Sequence, residues 1–125
     1  MTDREMTAAA AEACGLTVTW NEDLNAHTID MGNGQQPEAW EPLIDPLACD
    51  YVQHRLNITL RSMPTRVSPD NPEVTYSGES TAQALFYSAR ELHGDDAASA
   101  SRRAIVRVAV LIQEAAVLER QRAVE

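Results

Sequence analysis

The sequence predicts an α+β fold: a small, mainly antiparallel sheet packed with about three helices, the last of them long. Three observations predict it. Thr2-Asp3-Arg4-Glu5 and Asp45-Pro46 are helix starts, each followed by apolar residues at helical spacing. Leu16, Val18 and Trp20, and later Ile58 and Leu60, alternate with polar neighbours as half-buried strands do. Residues 97–121 carry one sustained helical stripe. At 125 residues and 44% hydrophobic, the chain suits a single domain over 1–125, with one core.

The first helix opens on a capping box. The Thr2 hydroxyl accepts from the Glu5 amide while Glu5 reaches back. Met6, Ala9, Ala10 and Ala13 follow at helical spacing, and Gly15 supplies the stop. A strand over Leu16–Trp20 then turns at Asn21-Glu22-Asp23. A second short strand over Ala26–Met31 ends before Gly32-Asn33-Gly34, and Gln35–Pro42 reads as a loop.

Asp45 is the N-cap of a second helix, with Pro46 at the first helical position, where its missing amide costs little. Leu47, Ala48, Tyr51, Val52 and Leu56 continue that helix. A strand follows from Ile58 to about Met63. Ser68-Pro69-Asp70-Asn71-Pro72 is turn chemistry, Glu73–Tyr76 is a short strand, and Ser77-Gly78-Glu79-Ser80 resembles a hairpin loop. Ala82–Arg90 mixes helical and strand signals; its framing turns favour a strand. His93-Gly94-Asp95-Asp96 ends it and caps the last helix.

In that helix Ala104, Val108, Leu111, Ala115 and Leu118 form the core stripe, broadened by Ile105, Ala109, Ile112 and Ala116. Val106, Val110 and Val117 make a second apolar strip on the opposite side. A helix packed on one side does not need it. Either the helix is covered on two sides within the chain, or the strip is an oligomer contact, which allows a homodimer.

Charge is unevenly divided. Residues 1–50 carry ten carboxylates and one basic side chain, Arg4; residues 51–125 carry nine of each sign, so the net charge of −9 resides in the first part. All ten basic residues are Arg. This acidity disfavours binding bare nucleic acid and favours a basic protein partner, or solubility alone. No signal peptide or membrane span is apparent.

No cluster of chemistry-bearing residues stands out. His27, His54 and His93 are scattered, and Cys49 and His54 are five apart, off the spacing of a shared helix face. Cys14 and Cys49 lack CxxC spacing and read as buried free thiols. Glu22-Asp23 and Asp95-Asp96 read as turn and cap residues. Gly32-Asn33-Gly34 lacks the Lys and helix of a phosphate loop. Arg102, Arg103 and Arg107 read as a solvated face paired with the acidic half; a nucleic-acid patch is the competing reading. Trp20 and Trp40 suit the sparse aromatic core, although an exposed Trp40 would be an interface anchor.

Two stretches carry a family resemblance. One is Trp40-Glu41-Pro42-Leu43 followed by Asp45 and a helix. The other is Asp96-Ala97-Ala98-Ser99-Ala100-Ser101-Arg102-Arg103-Ala104-Ile105-Val106-Arg107-Val108-Ala109. With the capped first helix they resemble the phage ABA sandwich domain family of small phage and prophage proteins. That family has a tryptophan–x–proline segment before its second helix and a long last helix opening on "A-x-x-R-R-A-I-x-R-A". The chain departs from it at Val108, Val110 and Val117 and in its acidic 21–41 segment. The resemblance implies the fold and a phage setting, but no activity.

The reading is therefore a non-enzymatic phage or prophage accessory protein, without metal or cofactor, that binds a host or phage protein in the host cytoplasm. Counter-defence is its specific form: an acidic, anti-CRISPR-like surface occupying the basic groove of a nucleic-acid-binding effector. The alternative is a self-associating structural or assembly protein. The expected partner-binding residues are Glu22, Asp23, Asp30, Glu38, Trp40 and Glu41. The expected oligomer contact is Val106, Val110 and Val117.

Overall fold

A computed structural model describes residues 1–29, 38–68, 71–80, 87–92 and 97–124. It is α+β, with three helices and two antiparallel sheets. Helix α1 spans Asp3–Ala13, and its capping box forms as expected. Glu5 N donates to Thr2 Oγ1 at 3.1 Å, and Thr2 N donates to Glu5 Oε1 at 3.2 Å. Past the cap residue Cys14, Gly15 takes φ +77°, the left-handed conformation that ends a helix at little cost to glycine.

The first sheet has the order β1-β2-β3, with β1 at Val18–Asn21, β2 at Ala26–Ile29 and β3 at Glu38–Ala39. Asn21 Oδ1 accepts from the Leu24 amide at 3.0 Å, closing the β1–β2 turn. Register pairs Trp20 with His27 and Val18 with Ile29. The expected loop over Gln35–Pro42 is corrected here: Glu38 and Ala39 pair with Ile29 and Thr28. Edge pairing to β2 satisfies backbone groups that a loop would leave to water.

Helix α2 spans Pro46–Arg55, with Asp45 Oδ1 accepting from the Leu47 amide at 3.1 Å. The second sheet has the order β4-β5-β6, with β4 at Thr59–Ser68, β5 at Asn71–Ser80 and β6 at Tyr87–Leu92. One sheet was expected, and there are two. The hairpin loop expected at Ser77–Ser80 is also corrected. Those residues belong to β5, where Gly78 stands between Leu60 and Ala89. A central strand gains ladder hydrogen bonds on both edges, which outweigh the turn preference of Ser and Gly. Residues 30–37, 69–70, 81–86 and 93–96 lie outside the described residues. The expectations for Met31, Gly32-Asn33-Gly34, Pro69-Asp70, the start of the 82–90 strand and the Asp95-Asp96 cap therefore lie there too.

Helix α3 spans Ala97–Val124 and is in contact with α1, α2, β5 and β6. Ala104, Ile105, Val106, Val108, Ala109, Val110 and Ile112 are all buried. A helix buried over most of its circumference, with only the Arg103–Arg107–Leu111–Glu114 side open, is one packed against several neighbours. This resolves the Val106–Val110–Val117 strip. Val106 is 0% and Val110 7% exposed within the single chain, so neither is free to contact another copy; only Val117 is exposed. The oligomer expectation is corrected for those two residues.

The core stripe also needs correction at its far end. Leu111 and Leu118 are exposed, and Ala115 is half-buried. Asp3 meets Arg103 and Glu12 meets Gln113, so α1 lies parallel to α3. With 11 residues against 28, α1 runs about 16 Å beside a helix of about 42 Å. Past about Gln113 the helix runs beyond the end of α1, while Leu111, level with α1, lies on a side that α1 does not cover.

Candidate partner-binding face

The expected acidic set does not form one surface. Glu22 and Asp23 are exposed in the β1–β2 turn; Glu38 is exposed on β3 at the level of Ile29, the opposite end of the same sheet. Asp30 lies outside the described residues. Trp40 is only 4% exposed, and its amide donates to the His27 carbonyl at 2.8 Å. It belongs to the core, so its anchor role is corrected. Glu41 is half-buried, and its carbonyl accepts the amides of Ile44 and Asp45 at 3.0 and 2.7 Å. That tight turn directs the chain into α2.

The turn and α2 present a feature that the charge pattern alone does not reveal. Helix α2 buries Ala48, Cys49 and Val52 but leaves Leu47 78% and Tyr51 44% exposed. Leu47 and Tyr51 are four apart and share a helix face. Ile44, just before the cap, is 67% exposed. Glu41, Asp45 and Asp50 stand between and beside them in the chain, the last two exposed. An apolar strip with a carboxylate rim has the anatomy of a protein interface: anchors at the centre, polar groups around them. Its scaffold is fixed, because Arg102 Nε donates to the Leu43 carbonyl at 3.0 Å.

Sequence reading placed Leu47 and Tyr51 in the second helix and gave them no surface role. The missed signal was that α2 is apolar at 47, 48, 49, 51 and 52, more of its circumference than one core contact covers.

Beside the strip lies a cavity of about 160 Å³, lined by Asp3, Arg4, Thr7, Trp20, His27, Glu41, Leu43 and Ile44. Arg4 lies over the Trp20 ring, 3.9 Å from its centroid. Trp20 meets His27 edge-on at 5.1 Å. His27, within the short strand expected over Ala26–Met31, is buried on β2, with Nε2 3.0 Å from the Arg4 carbonyl oxygen.

The arginines of α3 follow the salt-bridge reading in part. Arg103 Nη1 lies 3.0 Å from Asp3 Oδ1, both side chains partly or largely exposed. Arg102 is spent on Leu43 and, at 3.4 Å, on the Ser99 hydroxyl.

Cys14 and Cys49 are free and buried in the core. Burial pushes each thiol up to about 11; Arg55 pulls slightly the other way on Cys14, while on Cys49 the Asp50 charge adds to the rise and Arg102 opposes it. Neither is a thiolate at neutral pH, the form a nucleophile or metal ligand requires. Among the described residues no three His, Cys, Asp or Glu side chains gather as a metal site, and no helix is long and apolar enough to cross a membrane.

No protein-family model matches this chain, and no curated protein or solved structure is significantly similar to it.

Proposed function

We propose that this chain is a non-catalytic binding protein that docks on a basic protein surface through Ile44, Leu47 and Tyr51 and the carboxylates around them. The exposed apolar strip inside its acidic rim carries the reading. Large side chains left in water on an otherwise well-packed helix are unfavourable unless a partner covers them. The net charge of −9 steers a basic partner toward the face, and the anchors hold it. The phage-like motifs support a phage or prophage accessory role in a host cell. The acidic rim supports its counter-defence form, occupation of a groove that otherwise holds nucleic acid.

The test is capture from host lysate by the wild-type chain, by Leu47→Asp and by Leu118→Asp, with competition by duplex DNA. The reading expects one partner that DNA displaces, that is lost at about 0.5 M salt and with Leu47→Asp, and that is kept with Leu118→Asp. A partner held equally by wild type and Leu47→Asp overturns it.

A second reading has its own observation. Leu111 and Leu118 are seven apart, on one exposed side of the far half of α3. They support a self-associating assembly component. Sedimentation that remains monomeric at micromolar concentration, unchanged by Leu118→Asp, sets it aside.

A further inference from the structure

Past the end of α1, the outer side of α3 carries residues whose order has its own symmetry. Glu114, Leu118 and Arg122 are spaced four apart, so they lie in one row along the helix. All three are exposed, Leu118 at 56%. Leu111, seven before Leu118, is exposed too and continues the row, with half-buried Ala115 beside it. Among the described residues no ion pair or side-chain hydrogen bond engages Glu114 or Arg122. The row therefore reads carboxylate, leucine, guanidinium, with the leucine at its midpoint.

Such a row is complementary to itself when reversed. Two copies of α3 set antiparallel, with a twofold axis at Leu118, place Leu118 on Leu118. Glu114 of each copy then comes level with Arg122 of the other, both about 6 Å along the helix from the axis. A parallel pair in register instead sets Glu114 against Glu114 and Arg122 against Arg122, and like charges that close repel. Covering the leucines supplies the affinity. The two rim pairs add little strength but select direction and register. Helix α1 reaches only to the level of Gln113, which leaves the stretch around Leu118 open to a second helix. The opposite side of the same stretch competes poorly. There Ala13, Ala116 and Ala123 line an open cavity of about 460 Å³, and small side chains gain less on being covered.

We propose that α3 pairs with α3 of a second copy of this chain, antiparallel about Leu118, with Glu114 of each copy against Arg122 of the other. The pairing deepens the self-association reading above and rests on it. The contact is isologous, so it closes at two copies and does not propagate into a filament.

The test is sedimentation equilibrium up to about 100 μM at low salt, the range suited to a small contact with charged rims. It compares wild type, Leu118→Asp, Glu114→Arg, Arg122→Glu and an equal mixture of the last two. All three positions are exposed, so each variant should melt with wild type. Wild type should show a monomer–dimer equilibrium that Leu118→Asp abolishes. Either charge reversal alone should weaken the dimer about tenfold, because both rim pairs turn repulsive. The equal mixture should recover wild-type affinity, since each like-charge contact becomes an opposite-charge one in the mixed pair. A dimer that Leu118→Asp abolishes but both charge reversals leave unchanged overturns the antiparallel register and keeps the self-association reading. So does a mixture that recovers nothing. A wild-type chain that stays monomeric throughout overturns both, as does a dimer that Leu118→Asp leaves intact.

Discussion

Arg102 and Leu43 are 59 positions apart, yet Arg102 Nε lies 3.0 Å from the Leu43 carbonyl oxygen. That bond ties the first part of α3 to the turn that aims Ile44 and Leu47 outward. A hydrogen bond from a charged donor contributes roughly 1.5–3 kcal/mol when shielded, and less at a half-exposed guanidinium. Arg102→Leu is therefore expected to lower stability by about 1–2 kcal/mol in urea titration and to weaken partner capture beyond that. Unchanged stability would mean that the turn holds its shape without α3.

The capping box gives a second test. Thr2→Ala removes the acceptor for the Glu5 amide and should cost about 1 kcal/mol. The bonds from Thr2 hold the Glu5 carboxyl below its ordinary 4.5. A group depressed in the folded state contributes above its unfolded pKa, and the contribution is lost as pH falls through the folded value. Wild type should therefore exceed Glu5→Gln in melting temperature at neutral pH, and the two should converge in acid below about 4.5.

The thiols titrate with the opposite sign. Both are raised to about 11 from 9.0, so the unfolded chain loses its thiol protons first. Their contribution is complete below pH 9.0 and is lost as pH rises toward about 11. At about pH 8 only roughly one native thiol in a thousand is ionised. An aromatic disulfide reagent should react slowly with the folded protein and fast in denaturant. Prompt labelling of the native chain would contradict the burial.

Along α3 the same substitution should have opposite outcomes at two places. Val108→Ala, at a site with 0% exposure, should cost roughly 1–3 kcal/mol. Leu118→Ala, on the exposed stretch, should stay within about 0.5 kcal/mol. Val110→Asp should destabilise the monomer itself, since it places a charge at a buried site. A Val110→Asp protein that melts like wild type would return that residue to the surface.

What was legible in the sequence was local. The caps at Thr2 and Asp45 and the Asn21 turn are settled by atoms within three residues of one another, so their residue types suffice. What was illegible depended on distant chain. Ser77–Ser80 has turn composition, but the strands on both sides of it decide its state. Val106 and Leu118 are both apolar positions on one helix; which of them is buried depends on which faces of α3 the neighbouring elements cover and how far along it they reach. The uneven charge could be read from the sequence, but the exposed apolar strip at Ile44, Leu47 and Tyr51 could not. Leu47 and Tyr51 look like core until the chain chooses which side of α2 to cover.

Arg4 resting on Trp20 has a practical consequence. The chain has two tryptophans, and their surroundings are unlike: Trp40 is sealed in the core, while Trp20 is half-buried, capped by a guanidinium and touching an imidazole. Their emission should separate accordingly, with Trp40 bluer and sheltered from acrylamide and Trp20 redder and readily quenched. One fluorophore thus reports whether the core is closed. The other reports changes at the surface around Arg4 and His27, with no label added to the protein.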